Sequence, residues 1–564
     1  MLKFTNCIYY EDKIISSKEL NEKLMQSMEF INNFDIPEGE IVGLLFERTA
    51  DMIITIIALL NLNIPFVPFS ERYPLKRMEY IINECNIRTI LTNKKVVDTI
   101  KHIKFINIQM EKTPNSNSFE FSKNYINKIA YIMYTSGSTG KPKGVEVTKV
   151  GLENLFEVLS QSVDFSGCSS ILALTEYTFD IFFVETVFAV YKGFNIVLMS
   201  DIEKKMPLVI LKKLLSHDID ILQITPSKLL VLLACKEVDT YMKKLKVIMI
   251  GGENLSDKLL KMIKVVSHAK IYNMYGPTET TIWSTVSNLT NKETVDIGTP
   301  IANTQIYILG DNGEILPEEK KGEICIAGVG LAKGYRNKED LTHIAFQYNE
   351  NIKQRIYYTG DIGYIKNNVI YYCGRKDNQI KYHGNRIELE EIDKVVMKLK
   401  EIQVAVTCFI DREEQQELIL FYVENTYVSI DYIRNRILEE LPSYMLPSNF
   451  VKIKELLYTA HGKIDRKALI NSYLDKDSSV YSCMHETDDL CVLLNIIKKA
   501  IGSRIDENVN KNTFLSELQL DSLEYIQMLV EIEKNFNIEL DDEYLNLNNN
   551  LTVRNILERI ESKN

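Results

Sequence analysis

Short apolar runs alternate with segments of helical period over the first two-thirds of this chain. Residues 41–46, 66–69, 87–92, 194–199, 219–225, 247–251 and 270–274 predict strands. Residues 49–62, 207–216, 227–234 and 256–266 predict helices between them, with Ser256 followed by Asp257 as a helix start. Such alternation predicts parallel sheets with helices packed on them. From about Thr285 the texture changes to shorter strands (305–309, 323–327) and Gly-containing turns such as Asp311-Asn312-Gly313, which predicts a smaller β-rich unit. Beyond a break at Gly374–Asp377, strands 379–383, 404–410, 418–423 and 450–453 with helices 389–399 and 430–440 predict a compact α+β unit. A polar stretch, 471–487, reads as a linker. Helical segments 490–501, 522–537 and 553–561 then predict a small bundle. In the second of these Leu523, Ile526, Leu529, Val530 and Phe536 fall mostly on one side. The expected division is a core over 1–375, a smaller unit over 376–470, the linker, and the bundle over 488–564.

Bulk properties narrow this picture. At 564 residues the chain is too long for one core, and about 150 residues per domain implies three or four units. A net charge of −11 argues against a general nucleic-acid binder. No targeting or membrane segment is expected, because the longest apolar run near the start, 52–60, is too short to span a bilayer. Nine cysteines are scattered singly without a C-x-x-C pair, which reads as reduced thiols in a cytoplasmic protein.

The chemistry gathers around 134–144, Y-T-S-G-S-T-G-K-P-K-G. Three glycines, five hydroxyl-bearing residues and two lysines fall within these eleven positions. Glycine and proline fill helices and strands poorly, so a loop is expected, one that brings N–H, hydroxyl and ammonium groups to a polyphosphate. A Walker A loop needs a glycine five residues before Gly140, and Thr135 stands there. Six further motifs follow in order: Asn273–Glu279 (N-M-Y-G-P-T-E), Gly322-Glu323 through Gly334-Tyr335, Tyr358–Asp361 (Y-T-G-D), Gly374–Gln379 (G-R-K-D-N-Q), Gly384–Glu388 (G-N-R-I-E) and Gly462–Arg466 (G-K-I-D-R). Each alone reads equally well as a turn or a solvated loop. Their common order is specific.

The set resembles the adenylation domains of nonribosomal peptide synthetases, within the adenylate-forming enzymes, and residues 488–564 resemble peptidyl and acyl carrier proteins. The resemblance implies an α/β fold with a large N-terminal domain of sheets and β-barrel, a small α+β C-terminal lid, and a four-helix-bundle carrier. It implies two half-reactions: an amino-acid carboxylate attacks the α-phosphorus of ATP, and the aminoacyl group then passes to a carrier thiol. By motif, Thr135, Ser136, Gly137, Ser138, Thr139 and Lys143 would hold the β- and γ-phosphates. Tyr275 and Gly276 would lie on adenine, with Asn273, Gly252 and Glu253 at its edge. Thr278 would meet the α-phosphate, Glu279 would hold Mg²⁺, and Asp361 with Arg375 would take the ribose. Lys463 would bridge the attacking carboxylate and the α-phosphate. The lid would hinge at Asp377 and present Gly384 to the pantetheine arm, where a missing side chain leaves room.

Carried over in the same way, the acid pocket is Asp180, Ile181, Val184, Gln223, Met249, Gly251, Met274, Ile282 and Trp283. Asp180 would pair with a substrate ammonium, since a buried cation needs such a partner. Trp283, the single tryptophan, would fill side-chain space with Met249, Met274 and Ile282, leaving room for glycine. The set resembles the glycine-type pocket, with Val and Met at two Leu positions. Ser522 follows Asp521 at a helix start and would take 4′-phosphopantetheine; the same pair would also serve as a helix cap. Nine acidic residues and one lysine over 515–544 suit a basic phosphopantetheinyl transferase, or simply a solvated face.

Three departures stand out: Leu518-Gln519-Leu520 replaces the usual Gly-Gly before Asp-Ser, His461 stands for Asn, and Phe182 stands for Ser. The implied role is a stand-alone loading module that works with condensation or tailoring enzymes in trans. Rival readings are a ligase for alanine or β-alanine, a non-catalytic carrier scaffold, and an acyl-CoA synthetase. Intact Lys463, Asp361 and Glu279 disfavour the scaffold; Asp180 and the fused carrier disfavour the last.

Overall fold

Parallel strands buried on both faces carry near-continuous apolar runs, and Val247–Gly251 is buried at every position. The computed structural model describes the chain except residues 12, 35, 95–99, 101, 109–127, 138–140, 236, 237, 383, 413, 414, 458–463, 481–492, 495, 498, 499, 502–512, 519, 521, 537, 539, 541–543, 545–550 and 562–564. Val247–Gly251 lies inside a nine-stranded sheet, between parallel neighbours Ile221–Ile224 and Lys270–Tyr275. A six-stranded sheet runs in the order Lys104–Asn107, Thr89–Thr92, Val42–Leu45, Phe66–Pro68, Ile129–Thr135, Lys143–Thr148. One apolar cluster joins the two sheets: Leu44, Met133 and Val145 of one share it with Ile171, Ala173 and Met249 of the other. Helix Ala50–Leu62 is apolar almost all round and belongs to that cluster, as a helix enclosed by protein should. Ser256 caps helix Asp257–Val266 by accepting a hydrogen bond from the Leu259 amide at 3.2 Å.

A five-stranded antiparallel sheet follows, from Thr304–Leu309, Gly322–Gly328, Phe346–Asn349, Gln354–Lys366 and Val369–Arg375. The change of texture near Thr285 is therefore not a domain border. Thr285–Asn288 pairs antiparallel with Lys270–Tyr275 and still belongs to the large sheet. After Arg375 comes a two-stranded ribbon, Gln379–Tyr382 with Asn385–Glu388. A three-stranded sheet, Ile402–Arg412, Gln415–Glu424 and Asn449–Lys452, is backed by helices Leu389–Val396 and Ile430–Glu440 around one apolar cluster. This unit leans on the core through a buried ion pair, Arg77 to Glu391 at 3.7 Å.

One further sequence reading is corrected. Helix Arg466–Val480 covers the first half of the stretch read as a linker from residue 471; no glycine or proline interrupts it. Residues 481–487 lie outside the described residues. In helix Ser522–Phe536 Tyr525, Met528, Leu529 and Ile532 are buried, and Phe536 packs against the same cluster, so Leu529 and Phe536 of the expected stripe face the bundle core together with residues outside that stripe. The Tyr525 ring is buried and its hydroxyl donates to the Tyr544 carbonyl at 2.9 Å. These residues pack with Val553, Ile556 and Ile560, and Val231 of core helix Pro226–Leu233 joins the same cluster.

Candidate active site

Parallel strands deliver their carboxyl-terminal loops to one sheet edge, where α/β folds place ligands. Here that edge carries Gly251-Gly252-Glu253 and Tyr275–Glu279. They face a cavity of about 1070 Å³ that also meets the smaller unit at Lys381, Gly384 and Arg386 and the C-terminal helices at Met528 and Glu531.

The stretch 134–144 is less of a loop than its composition suggests. Tyr134 and Thr135 end one strand, Lys143 and Gly144 begin the next, and the pairs Tyr134–Gly144 and Thr135–Lys143 face each other across a hairpin. A side chain at Gly137 would meet the Lys141 carbonyl oxygen at 2.2 Å, so the turn admits only glycine there. Ser138 and Thr139 lie outside the described residues. The Ser136 hydroxyl donates to the Arg386 carbonyl at 2.7 Å, and the Thr135 hydroxyl is buried without a partner.

Two charged assemblies stand beyond the hairpin. In the first, Tyr275 donates its hydroxyl to Asp361 Oδ2 at 2.6 Å. Arg375 lies opposite Asp361 on the neighbouring strand and donates to Oδ1 at 2.7 Å. The same guanidinium grips Asp377 with two parallel bonds of 2.6 and 2.7 Å. Burial raises the Tyr275 hydroxyl well above its ordinary range, and the Asp361 charge adds to this, so it stays a donor. In the second, Glu279 is fully buried in the turn Thr278–Thr280. Its Oε1 accepts from Tyr335 at 2.9 Å and lies 3.3 Å from the Lys143 ammonium; its Oε2 accepts from Arg386 at 2.8 Å. Burial favours the neutral acid, but Arg386 and Lys143 outweigh it and hold the carboxyl well below the usual carboxylate range.

The residues expected to form the acid pocket are arranged differently. Asp180 is buried, its Oδ2 has no hydrogen-bond partner, and burial pushes its carboxyl up to about 6. Thr281 and Ile282 both take left-handed backbone angles, φ 65° and 64°, a strain of about 1–3 kcal/mol each for such residues. That turn folds Ile282 and Trp283 back over Gly276, where a side chain would meet the Ile282 carbonyl at 2.6 Å. The Trp283 ring reaches Gly251, where a side chain would come within 2.5 Å of Cη2. Asp180, Ile181, Met274, Ile282 and Trp283 line the cavity. Val184, Gln223 and Met249 are buried behind them, with both polar atoms of the Gln223 side chain unpartnered.

The remaining candidates fall in three groups. Gly252, Asn273 and Thr278 line the cavity, and the Asn273 amide donates to the Asp296 carbonyl at 2.8 Å. Glu253 Oε2 accepts from the Ser227 amide and hydroxyl at 2.8 and 2.5 Å, and Gly384 lies beside it with φ 79°. Lys463 lies outside the described residues. Ser522 is the first residue of its helix. Sequence reasoning passed over Tyr335, Lys381 and Arg386, although Tyr335 and Arg386 lie inside motifs already noted. Lys381 stands 6.0 Å from the Tyr275 ring centre, facing the Asp361 side of the cavity.

Residues 4–336 match the AMP-binding enzyme family, and residues 491–560 match the phosphopantetheine attachment site. The chain belongs to the AMP-binding enzymes. Zwittermicin A synthase ZmaJ of Bacillus cereus is 32% identical over 84% of this chain and 93% of its own length. Bacitracin synthase 3 of Bacillus licheniformis is 31% identical over 94% of this chain, which spans 8% of that protein. Holo-PA1221, a nonribosomal peptide synthetase protein with adenylation and carrier domains, shares the fold at a TM-score of 0.79 and 21% identity, over 94% of this chain and 89% of its own. The enzyme is thus an adenylation domain fused to a carrier, an adenylate-forming ligase of the nonribosomal peptide synthetase type. It uses ATP and Mg²⁺, and its carrier takes 4′-phosphopantetheine from a transferase. Among the described residues no helix is long and apolar enough to cross a membrane.

Among the described residues no group of three or more His, Cys, Asp or Glu side chains gathers around a metal position. Glu279 alone still suits Mg²⁺: it is ionised, and Mg²⁺ is commonly held by one or two carboxylates plus substrate phosphates.

Proposed function

We propose that this enzyme activates glycine as glycyl-AMP and loads it onto its own carrier. The observation that carries the reading is the contact of Trp283 with Gly251 in a cavity that also holds Asp180, whose Oδ2 is buried without a partner. Asp180 offers a charge for an α-ammonium. The indole, with Met274 and Ile282, takes the volume a side chain would need. Steric filling excludes larger acids more firmly than an open pocket rejects smaller ones, where a missing methylene costs only about 1–3 kcal/mol.

In this reading the hairpin and Lys143 bind the β- and γ-phosphates, and Tyr275, Asp361 and Arg375 orient the nucleoside. Glu279 holds Mg²⁺, which supplies positive charge where the phosphates gather negative charge. Lys463 aligns the glycine carboxylate with the α-phosphorus, so that one P–O bond forms as the bond to pyrophosphate breaks. Asp377 serves as the lid hinge and Gly384 borders the passage to the carrier. The phosphopantetheine on Ser522 supplies the thiol that receives the glycyl group, with AMP as leaving group.

The test is pyrophosphate exchange with each of the twenty amino acids. Glycine should give the largest rate. A clear preference for leucine, phenylalanine or an aryl acid overturns the assignment.

A further inference from the structure

One residue of the lid engages two parts of the phosphate site at once. Arg386 stands on the ribbon strand Asn385–Glu388. Its guanidinium donates to Glu279 Oε2 at 2.8 Å, and its backbone carbonyl accepts the Ser136 hydroxyl at 2.7 Å. Arg386 Nε donates to Gln379 Oε1 at 2.6 Å, and the Gln379 amide in turn donates to Glu388, so the head group is aimed from within the ribbon.

We propose that Arg386 is a lid-borne stand-in for the metal: it competes with Mg²⁺ for Glu279 and so orders the two half-reactions. The inference rests on Glu279 being the metal carboxylate. A guanidinium 2.8 Å from Oε2 takes the lone pairs that a cation on that oxygen would need. With Lys143 already 3.3 Å from Oε1, a metal beside Arg386 would gather a third cation around one buried carboxylate. The same lid position satisfies Ser136, a hydroxyl otherwise directed to phosphate. The lid therefore adopts this position only after Mg²⁺ and pyrophosphate have left. Once there, Arg386 satisfies Oε2 of the buried Glu279, whose Oε1 faces Lys143 and Tyr335. Arg386 acts through Glu279 and is a positioning residue. With Gly384 two positions earlier facing Thr225 and Glu253, the ribbon that displaces the metal also borders the side from which the carrier approaches.

The test is Mn²⁺ binding to the full-length protein in the presence of α,β-methylene-ATP, followed by electron paramagnetic resonance. Removing the competitor in Arg386→Ala should tighten Mn²⁺ about ten-fold, and Arg386→Lys should fall between. Hydrogen exchange on the wild-type protein gives a second readout that needs no variant. Amides of 379–388 should lose protection when Mg²⁺ and the analogue are added together, and keep it with the analogue alone. Loss of Mn²⁺ binding in Glu279→Gln with unchanged affinity in Arg386→Ala overturns the inference alone. Wild-type affinity in Glu279→Gln overturns the metal assignment and the inference with it. Exchange of 379–388 that ignores Mg²⁺ overturns the inference.

Discussion

The nucleotide side of the cavity and the acid pocket solve the burial of polar groups in opposite ways. On the nucleotide side two charged networks close within the protein: Tyr275, Asp361, Arg375 and Asp377 form one chain, and Glu279, Lys143, Tyr335 and Arg386 another. In the acid pocket Asp180 Oδ2, the Gln223 amide and Trp283 Nε1 are buried without partners. Networks closed in this way are held in shape before a ligand arrives, and the loss of a neutral member such as the Tyr275 hydroxyl costs a modest hydrogen bond. An unpartnered carboxylate is costly until an ammonium arrives, so substrate binding recovers that cost and gains selectivity from it. In the proposed function this contrast puts specificity in the acid pocket and the shared chemistry in the cradle.

The largest effect should come from neither side but from the group that joins them. Lys463→Ala should lower pyrophosphate exchange by roughly a hundred-fold or more, the scale of a charge aimed at the transition state, while ATP binding by calorimetry survives. Exchange within a few-fold of wild type refutes that role.

Next comes Asp180→Asn. It should raise the KM for glycine by roughly 10²–10³-fold, as expected for removing one partner of a buried ion pair, and leave the KM for ATP nearly unchanged. Burial raises the Asp180 carboxyl to about 6, so it is charged above that pH and neutral below. The KM for glycine should climb as pH falls through about 6, and the Asn variant should lack this rise. The sign for stability is the reverse. A carboxylate whose folded pKa is raised penalises the folded protein above about 6, and the penalty fades as pH falls toward the unfolded value of 3.8.

Trp283→Ala should shift the glycine-to-alanine ratio of kcat/KM by roughly 10–100-fold toward alanine, read from exchange with both acids. An unchanged ratio would show that the indole is core packing and nothing more.

Tyr275→Phe should be mildest. It removes one hydrogen bond to Asp361 while Arg375 still holds that carboxylate, so the KM for ATP should rise up to about ten-fold. A loss as large as that of Asp180→Asn would erase the contrast between the two sides.

Particular residues mark how far the chain could be read before folding. Strand Val247–Gly251 and helices Pro207–Ser216 and Ile430–Glu440 were legible to their end residues, because apolar period and end signals agreed there. Asp180 and Trp283 were placed by motif alone. Their arrangement, a buried carboxylate with one unpartnered oxygen and a ring pressed on Gly251, depends for the ring on two left-handed residues at Thr281 and Ile282 that no periodicity announces. The stretch 134–144 was read as a loop because its glycines obscure strand signals, yet pairing across a hairpin takes both its ends. Tyr525 and Met528 were missed because a ring with a hydroxyl and a flexible thioether look surface-tolerant until neighbours enclose them.

Arg386 marks the limit most clearly. By itself the sequence pointed to a polyphosphate, through residue types gathered within one short stretch, while an amino acid and an attached carrier followed from its resemblance to a family whose motifs recur in fixed order. Only the tertiary structure decided which charges meet. Glu279 and Arg386 are 107 residues apart in the chain, and their contact exists only in one placement of the lid on the core. Coulomb energy depends on distance in space, and a local pattern carries no record of that distance.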